Sequence, residues 1–431
     1  MLRIAKVNGI KFSKIGLLYT VSMTVVAIHQ AGIFPGYYLT PFIIGIIWFA
    51  LGLFAKIKNS PNGLVKVNTT DKVVLLYFLP WCVFFLHNCV LFLFGLGYKP
   101  FMKSSFVQVL FVPCIILGVW GAYYLLGRKT LYYLLHAIGI QYVVVLLVQL
   151  VTMGPGKFFS GVASILTGNS VGNPFETNSD VVLALGILLI YLESKLVKKI
   201  RIEYRYIGIV LILFVLGGKR ICYLAIFALL SFFLMTEFVS EKKIHYIQNI
   251  VSFLTIIGYY IFIYIINSGI LSSFVWTHGI NTMGRINMWD YIAKKFEMKL
   301  TYMGKGYSYC NLLLEKDRIY TFEGHVYALH SDALKMFVEL GFLMFSFWLL
   351  YNLLYMEKKI RKNYGYYISN VYWAETIYMF VLYLTDNAIN YYIVQTMYIV
   401  TILELICGKK TKLHSARYMV NSNNNSKEVV S

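Results

Sequence analysis

Acidic side chains are scarce in this chain: 19 Asp and Glu stand against 39 Lys and Arg in 431 residues, and charged residues of both signs make up only 13%. A soluble domain carries about twice that charged fraction, so a water-facing globule is excluded. Cysteine is also sparse. Cys82, Cys89, Cys114, Cys222 and Cys407 fall in or beside apolar runs, and Cys310 stands alone in the one long polar segment, so no disulfide framework can form within that segment. There is no Cys-x-x-Cys and no Cys/His cluster, which argues against a zinc-type centre. No internal repeat of the kind that marks inverted-repeat transporters is visible. A cleavable leader is not expected, because the first apolar run has the length of a span and lacks a small-residue cleavage site.

What the chain has instead is apolar length. Hydrophobic residues make up 59% and the mean hydropathy is +0.66. Runs such as Ile15–Phe34, Val73–Gly95, Phe106–Leu126, Leu131–Met153, Ile221–Phe238 and Ile247–Ile266 each have the roughly 18 to 23 residues that a helix needs to cross about 30 Å of hydrocarbon. About twelve spans are expected by this criterion. The fold class is therefore an all-α polytopic membrane protein with one large extracytoplasmic loop.

The formal charge of +20 is spread along the membrane pattern rather than gathered on a nucleic-acid-binding face. Every second connection is basic: Lys6, Lys11 and Lys14; Lys56, Lys58, Lys66 and Lys72; Arg128 and Lys129; Lys195 to Arg205; Lys242 and Lys243; Lys358 to Lys362; and Lys409 to Arg417. Placing these in the cytoplasm puts both termini inside and the segment Ser272–Ser331 outside. The chain then divides into 1–271 (helices 1 to 9), 272–332 (the large outer loop), 333–407 (helices 10 to 12) and 408–431, a basic tail expected to be disordered.

The outer loop is long without being low in complexity, which points to order and function. A helical pattern covers Met288–Phe296, Gly304–Lys305–Gly306 marks a turn, and Asn311–Lys316 reads as a short helix. Its aromatic residues, Trp276 and Tyr307 among them, are candidates for stacking on a sugar face.

Three groups in this chain carry chemistry. Gly217–Gly218–Lys219–Arg220 is a short outer connection that opens a span, and the orphan N–H groups and positive dipole end of that helix suit a phosphate. The alternative for Lys219 and Arg220 is snorkelling to lipid head groups. Gly284–Arg285, followed by Trp289 and Asp290, supplies a second arginine, and two arginines from separate segments can clamp a pyrophosphate bidentately. For Arg285 the alternative is a structural salt bridge to Asp290 or Glu297. His325 and His330 flank the entry to the span that starts after Ser331 or Asp332, where an imidazole can accept a proton from a hydroxyl. A metal held by the two histidines lacks a visible third ligand.

The order of these elements, ending in His330-Ser-Asp-Ala-Leu-Lys-Met-Phe-Val-Glu-Leu-Gly-Phe342, resembles the Wzy-type polysaccharide polymerase and O-antigen ligase superfamily. The resemblance covers about Gly217–Phe342, with Thr385–Asp386–Asn387–Ala388 similar to the family's last outer turn; Lys219 and Ser331 depart from the family's usual residues. It implies a GT-C-like fold, a metal-independent and cofactor-free reaction, Arg220 and Arg285 with Lys219 as pyrophosphate ligands, and His330 as the base. His325, Glu339 and Trp289 are accessory candidates. The expected function is a polymerase joining polyprenyl-diphosphate-linked oligosaccharide repeat units at the outer face of a bacterial cytoplasmic membrane. Its partners are then the lipid-linked donor and acceptor, membrane lipid, and the chain-length regulator and flippase of the same pathway, with no nucleic acid. The alternatives are a ligase that moves a finished glycan to another acceptor, and a flippase for lipid-linked oligosaccharides.

Overall fold

The computed structural model describes residues 5–7, 10–31, 39–60, 67–166, 173–175, 179–200, 204–280, 282, 284–317 and 329–407. Apart from a short antiparallel ribbon, β1 (Ala5–Val7) and β2 (Ile10–Phe12), these residues build helices. In order they are α1 (Lys14–Gln30), α2 (Leu39–Lys58), α3 (Thr69–Leu93), α4 (Met102–Val109), α5 (Phe111–Leu126), α6 (Lys129–Met153), α7 (Pro155–Leu166), α8 (Ser179–Val197) and α9 (Tyr204–Leu216). There follow α10 (Arg220–Phe238), α11 (Glu241–Asn267), the loop helices α12 (Ile270–Thr277), α13 (Arg285–Ala293) and α14 (Tyr309–Lys316), then α15 (Asp332–Leu350), α16 (Met356–Tyr364), α17 (Tyr366–Thr385) and α18 (Tyr392–Cys407).

Among the described residues, seven helical rods are long and apolar enough to cross a membrane: Leu39–Lys58, Thr69–Leu93, Lys99–Leu126, Lys129–Met153, Arg220–Phe238, Glu241–Asn267 and Asp332–Tyr364. The protein is thus an all-α protein with the build of a multi-pass membrane protein. Its layering fits that solvent. The outer rods α2 and α11 are only 28% and 22% buried, and large apolar side chains such as Phe54, Phe227 and Phe238 face outward. In water such a surface would drive aggregation; in lipid it costs nothing. The inner helices α8, α17 and α18 are buried almost throughout.

Local chemistry sets the helix ends and contacts. Asn68 and Asp71 form a reciprocal capping box at the start of α3, and the same Asp71 carboxylate accepts from Lys56 Nζ at 2.6 Å and Trp120 Nε1 at 2.7 Å. Pro113 has no N–H to give to the preceding turn, so the rod Lys99–Leu126 breaks into α4 and α5 at Leu110. Helix α2 lies so close to α5 that a Cβ on Gly52 would meet Gly121 Cα at 2.3 Å, the small-residue packing that replaces hydrophobic association in lipid.

The long loop between α11 and α15 is packed, not draped. Asn267 Nδ2 donates to the carbonyls of Ala293 (3.1 Å) and Phe296 (3.3 Å), pinning α13 to the end of α11. Farther on, α15 is interrupted at Gly341, where φ 78° and ψ 176° are outside any helix. Phe342 N–H consequently donates to Tyr302 O instead of Val338 O, and the released carbonyls of Val338 and Glu339 accept from Lys305 and Gly306. The segment Tyr302–Gly306 thereby enters the break as a third partner. His87 of α3 holds it from the far side, its Nε2 3.0 Å from Met303 O.

Candidate active site

Helix α10 begins at the turn the sequence marked. Gly218 has φ +68°, and a Cβ on Gly217 would lie 2.3 Å from Val182 of α8, so both glycines are required by the turn and its close packing. Asn173 Nδ2 donates to Leu216 O at 3.3 Å and fastens the turn from outside. Lys219 takes the N-cap position in an extended conformation without a side-chain cap, so the first-turn N–H groups of α10 keep no side-chain acceptor there. Lys219 is half-buried and Arg220, the first helical residue, is exposed.

Arg285 likewise opens a helix, α13, after Gly284 at φ +78°. The carboxylates that offered a structural role do not pair with it: Glu297 pairs with Lys299, and Asp290 forms no salt bridge with Arg285. The salt-bridge alternative for Arg285 is therefore corrected. One turn on, buried Trp289 donates from Nε1 to Leu329 O at 2.9 Å, which fixes the residue preceding His330.

His330 sits at φ +52°, a conformation uncommon outside glycine and held here from both sides. Ser331 is the N-cap of α15, its hydroxyl accepting from Leu334 N at 3.2 Å, and Asp332 N donates to Asp386 O at 3.1 Å. Asp332 Oδ2 in turn accepts from Ile389 N at 2.7 Å. These bonds lock the turn after α17 onto the start of α15 and bring Asn387 Nδ2 within 3.4 Å of His330 Nδ1. Asp386 Oδ1 accepts from Asn387 N and from Tyr391 Oη, at 2.8 and 3.2 Å.

Burial pushes the His330 imidazole down to about 4; the Arg285 guanidinium and the Lys219 ammonium add to that, and the Asp386 carboxylate opposes it. The ring is consequently neutral at pH 7, in the state that can accept a proton. The same electrostatics places Lys219, Arg285, Asp386 and His330 in one neighbourhood. Arg220 follows Lys219 in the chain and is exposed. Among the described residues, none of Lys219, Arg220 and Arg285 forms a salt bridge, and Asp386 is the one carboxylate felt at His330 beside the cations Lys219 and Arg285.

Other sequence candidates separate. Glu339 is fully buried on α15, where its carboxylate accepts from the backbone N–H of Ser308 (2.6 Å) and Cys310 (3.0 Å); it supports the loop and does not face His330 through any bond. Tyr307 is 1% exposed and packs edge-on to Trp81, so it is corrected from sugar stacker to core residue, whereas Trp276 is 62% exposed and keeps the stacking role open. His325 lies outside the described residues. No group of three His, Cys, Asp or Glu able to hold a metal exists among the described residues. The contribution of Asp386 and Asn387 was visible in the sequence only as a turn pattern, because it depends on a contact 57 residues away in the chain.

Compared with protein-family models, curated proteins and solved structures, the chain finds no match.

Proposed function

We propose that the protein is a membrane-embedded glycosyltransferase that polymerises polyprenyl-diphosphate-linked oligosaccharide repeat units into a surface polysaccharide. The observation that carries this reading is the pair of cations Lys219 and Arg285, without salt-bridge partners among the described residues, that act on the buried imidazole of His330, with Arg220 next to Lys219 in the chain. Lys219 and Arg285 stand at the starts of two helices, α10 and α13, whose positive dipole ends add to the field. Such a site answers a diphosphate, whose oxygens take the arginine forks bidentately.

The reaction assigned to it is a single displacement. His330 accepts the proton of an acceptor sugar hydroxyl while the oxygen attacks the anomeric carbon of the donor; the bond from that carbon to the diphosphate oxygen breaks, and the electron pair leaves with polyprenyl diphosphate. Charge develops on the leaving oxygen, where the arginines stabilise it more in the transition state than before. Inversion at carbon follows. Asn387 Oδ1 is buried without a hydrogen-bond partner, and turning that amide end for end sets Oδ1 against His330 Nδ1–H, which fixes the tautomer of the ring. Bound diphosphate also offsets the cations that depress the imidazole, so the base strengthens when the donor is in place.

The finer topology goes with this reading. With α1, α8, α9, α17 and α18 added to the seven long rods, twelve helices are available for a twelve-span arrangement, and in this reading the basic connections are cytoplasmic and the His330 end lies outside a bacterial cytoplasmic membrane. A GT-C-like architecture is part of the same proposal. Against the transporter alternative, buried charges along α15 already have protein partners: Glu339 holds two loop N–H groups and Lys335 Nζ lies 5.1 Å from the centre of the Tyr307 ring. A substrate pathway would keep such groups available.

The test is donor binding. Arg220→Ala and Arg285→Ala should each weaken both turnover and the affinity for a polyprenyl-diphosphate donor, by tenfold or more for loss of a charge-assisted contact of about 1.5–3 kcal/mol, with lysine restoring only part. Unchanged donor affinity in both alanine variants would remove the diphosphate assignment.

A further inference from the structure

We infer that an anionic phospholipid, from the leaflet opposite the His330 end, seats in a cavity between α11 and α16. The cavity has a volume of about 610 Å³, within the range of small-molecule sites. It lies at the far end of the molecule from the candidate active site. The first turns of α11 line it, whereas the last residue of that helix, Asn267, reaches the outer loop; likewise α16 ends the long rod that His330 precedes.

Its two walls differ in chemistry. Ile250, Phe253 and Leu254 of α11 face Leu354, which belongs to the π-helical turn Tyr351–Tyr355 between α15 and α16. Phe253 and Leu254 are 60% and 59% exposed, continuing the lipid-facing surface of α11 into the cavity, and a π turn recurs at functional sites in helices. At the other end stand His245, Glu357, Lys358 and Arg361. Glu357 Oε1 accepts from the Ser369 hydroxyl at 2.6 Å and is faced by Arg361 Nε at 3.6 Å and His245 Nδ1 at 3.9 Å, so this single carboxylate is shared by two basic groups and a hydroxyl. The Arg361 guanidinium lies over the Tyr366 ring, 5.8 Å from its centre, and no hydrogen bond joins it to Glu357, the 3.6 Å from its Nε being an ion-pair distance. Lys358 is exposed and has no acidic partner among the described residues. Exposed Lys242, Lys243, Lys359 and Lys362 surround the same end.

An apolar wall open to acyl chains, joined to a basic end with spare donors, matches a phospholipid with a net negative head group. A free phosphate would use only the basic end, and a neutral lipid only the wall. Basic clusters at a membrane surface draw anionic lipid in this way, each Lys or Arg contributing about a fivefold change in affinity. This inference needs the membrane build alone and stands whatever reaction occurs at His330.

The experiment uses the full chain, purified in detergent, with bound lipid followed by native mass spectrometry during titration with dioleoyl-phosphatidylglycerol, dioleoyl-phosphatidylcholine or inorganic phosphate. Phosphatidylglycerol should be retained in preference to phosphatidylcholine, and phosphate at the same concentration should not displace it. Lys358→Gln and Arg361→Gln should each reduce retention about fivefold. Because Arg361 also faces Glu357, Lys358→Gln is the decisive variant if Arg361→Gln fails to fold. Equal retention of the two lipids, displacement by phosphate, undiminished retention in Lys358→Gln, or occupation of the cavity by a second copy of the chain with no lipid bound would overturn the inference.

Discussion

Replacing Gly341 by alanine tests whether the long loop before α15 is built into the helical domain. At φ 78° and ψ 176° this residue occupies a region open essentially to glycine, at a cost to alanine of about 1–3 kcal/mol. Its new Cβ would also lie 2.3 Å from Met303 C, 2.4 Å from Tyr302 O and 2.6 Å from Gly304 N, all backbone atoms that cannot swing aside. The loop must retreat. The three backbone hydrogen bonds that join Tyr302–Gly306 to α15 are then lost, at about 0.5–1.5 kcal/mol each. Together the effects amount to roughly 3–7 kcal/mol, placing Gly341→Ala among the severe substitutions. Amide hydrogen exchange of the detergent-solubilised protein should show the protection of Lys305 and Gly306 collapsing, together with a fall in the melting temperature. Gly258→Ala, in α11 with open space around its Cβ, is the control and should leave both unchanged. Native exchange rates at Lys305 and Gly306 in Gly341→Ala would refute the argument that the broken helix holds the loop.

Two further outcomes are expected. Because burial, Arg285 and Lys219 depress His330, kcat/KM should fall only as the pH drops through the low free-enzyme value near 4; kcat should fall already at higher pH, since bound diphosphate raises the same group. Coincident limbs near the ordinary histidine range in both profiles would contradict this. For orientation, cysteines placed at exposed Lys299 and Asn363, in a background without other accessible thiols, should label with an impermeant reagent from outside and only after permeabilisation, respectively; the reverse pattern would invert the protein.

Much of the fold was legible because it depends on local pattern. Apolar runs of spanning length gave α3, α6, α10 and α11 within a few residues, and the Ser331 cap and the helix over Tyr309–Lys316 follow from capping and periodicity. The runs alone suggested more uniform spans than exist: α1, α9 and α18 are short of spanning length, and one expected run is divided at Leu110 by Pro113. The break at Gly341 was not legible. Glu-Leu-Gly inside an apolar run continues a helix on any local criterion, and only the long-range pairing with Tyr302–Gly306 makes the interruption worthwhile. The candidate site divides in the same way. Lys219, Arg220, Arg285 and His330 stand out because they are polar groups at helix starts that break the alternation of basic connections, whereas Asn387 and Asp386 reach His330 through a tertiary contact that leaves no mark in spacing. Glu339 and Tyr307 were credited with chemistry on residue type, and their burial assigns them to structure instead.

The most direct measurement of the central claim is made without a membrane to cross: purified protein in detergent, a synthetic polyprenyl-diphosphate repeat unit, and a gel that resolves chain length. The account predicts a ladder of products with release of polyprenyl diphosphate from the wild type. It also predicts that His330→Ala still binds the donor while its rate falls about 10² to 10⁴-fold, as expected for loss of a general base. Movement of lipid-linked units across vesicles with no product longer than the substrate, or a ladder formed at the wild-type rate by well-folded His330→Ala, would contradict it.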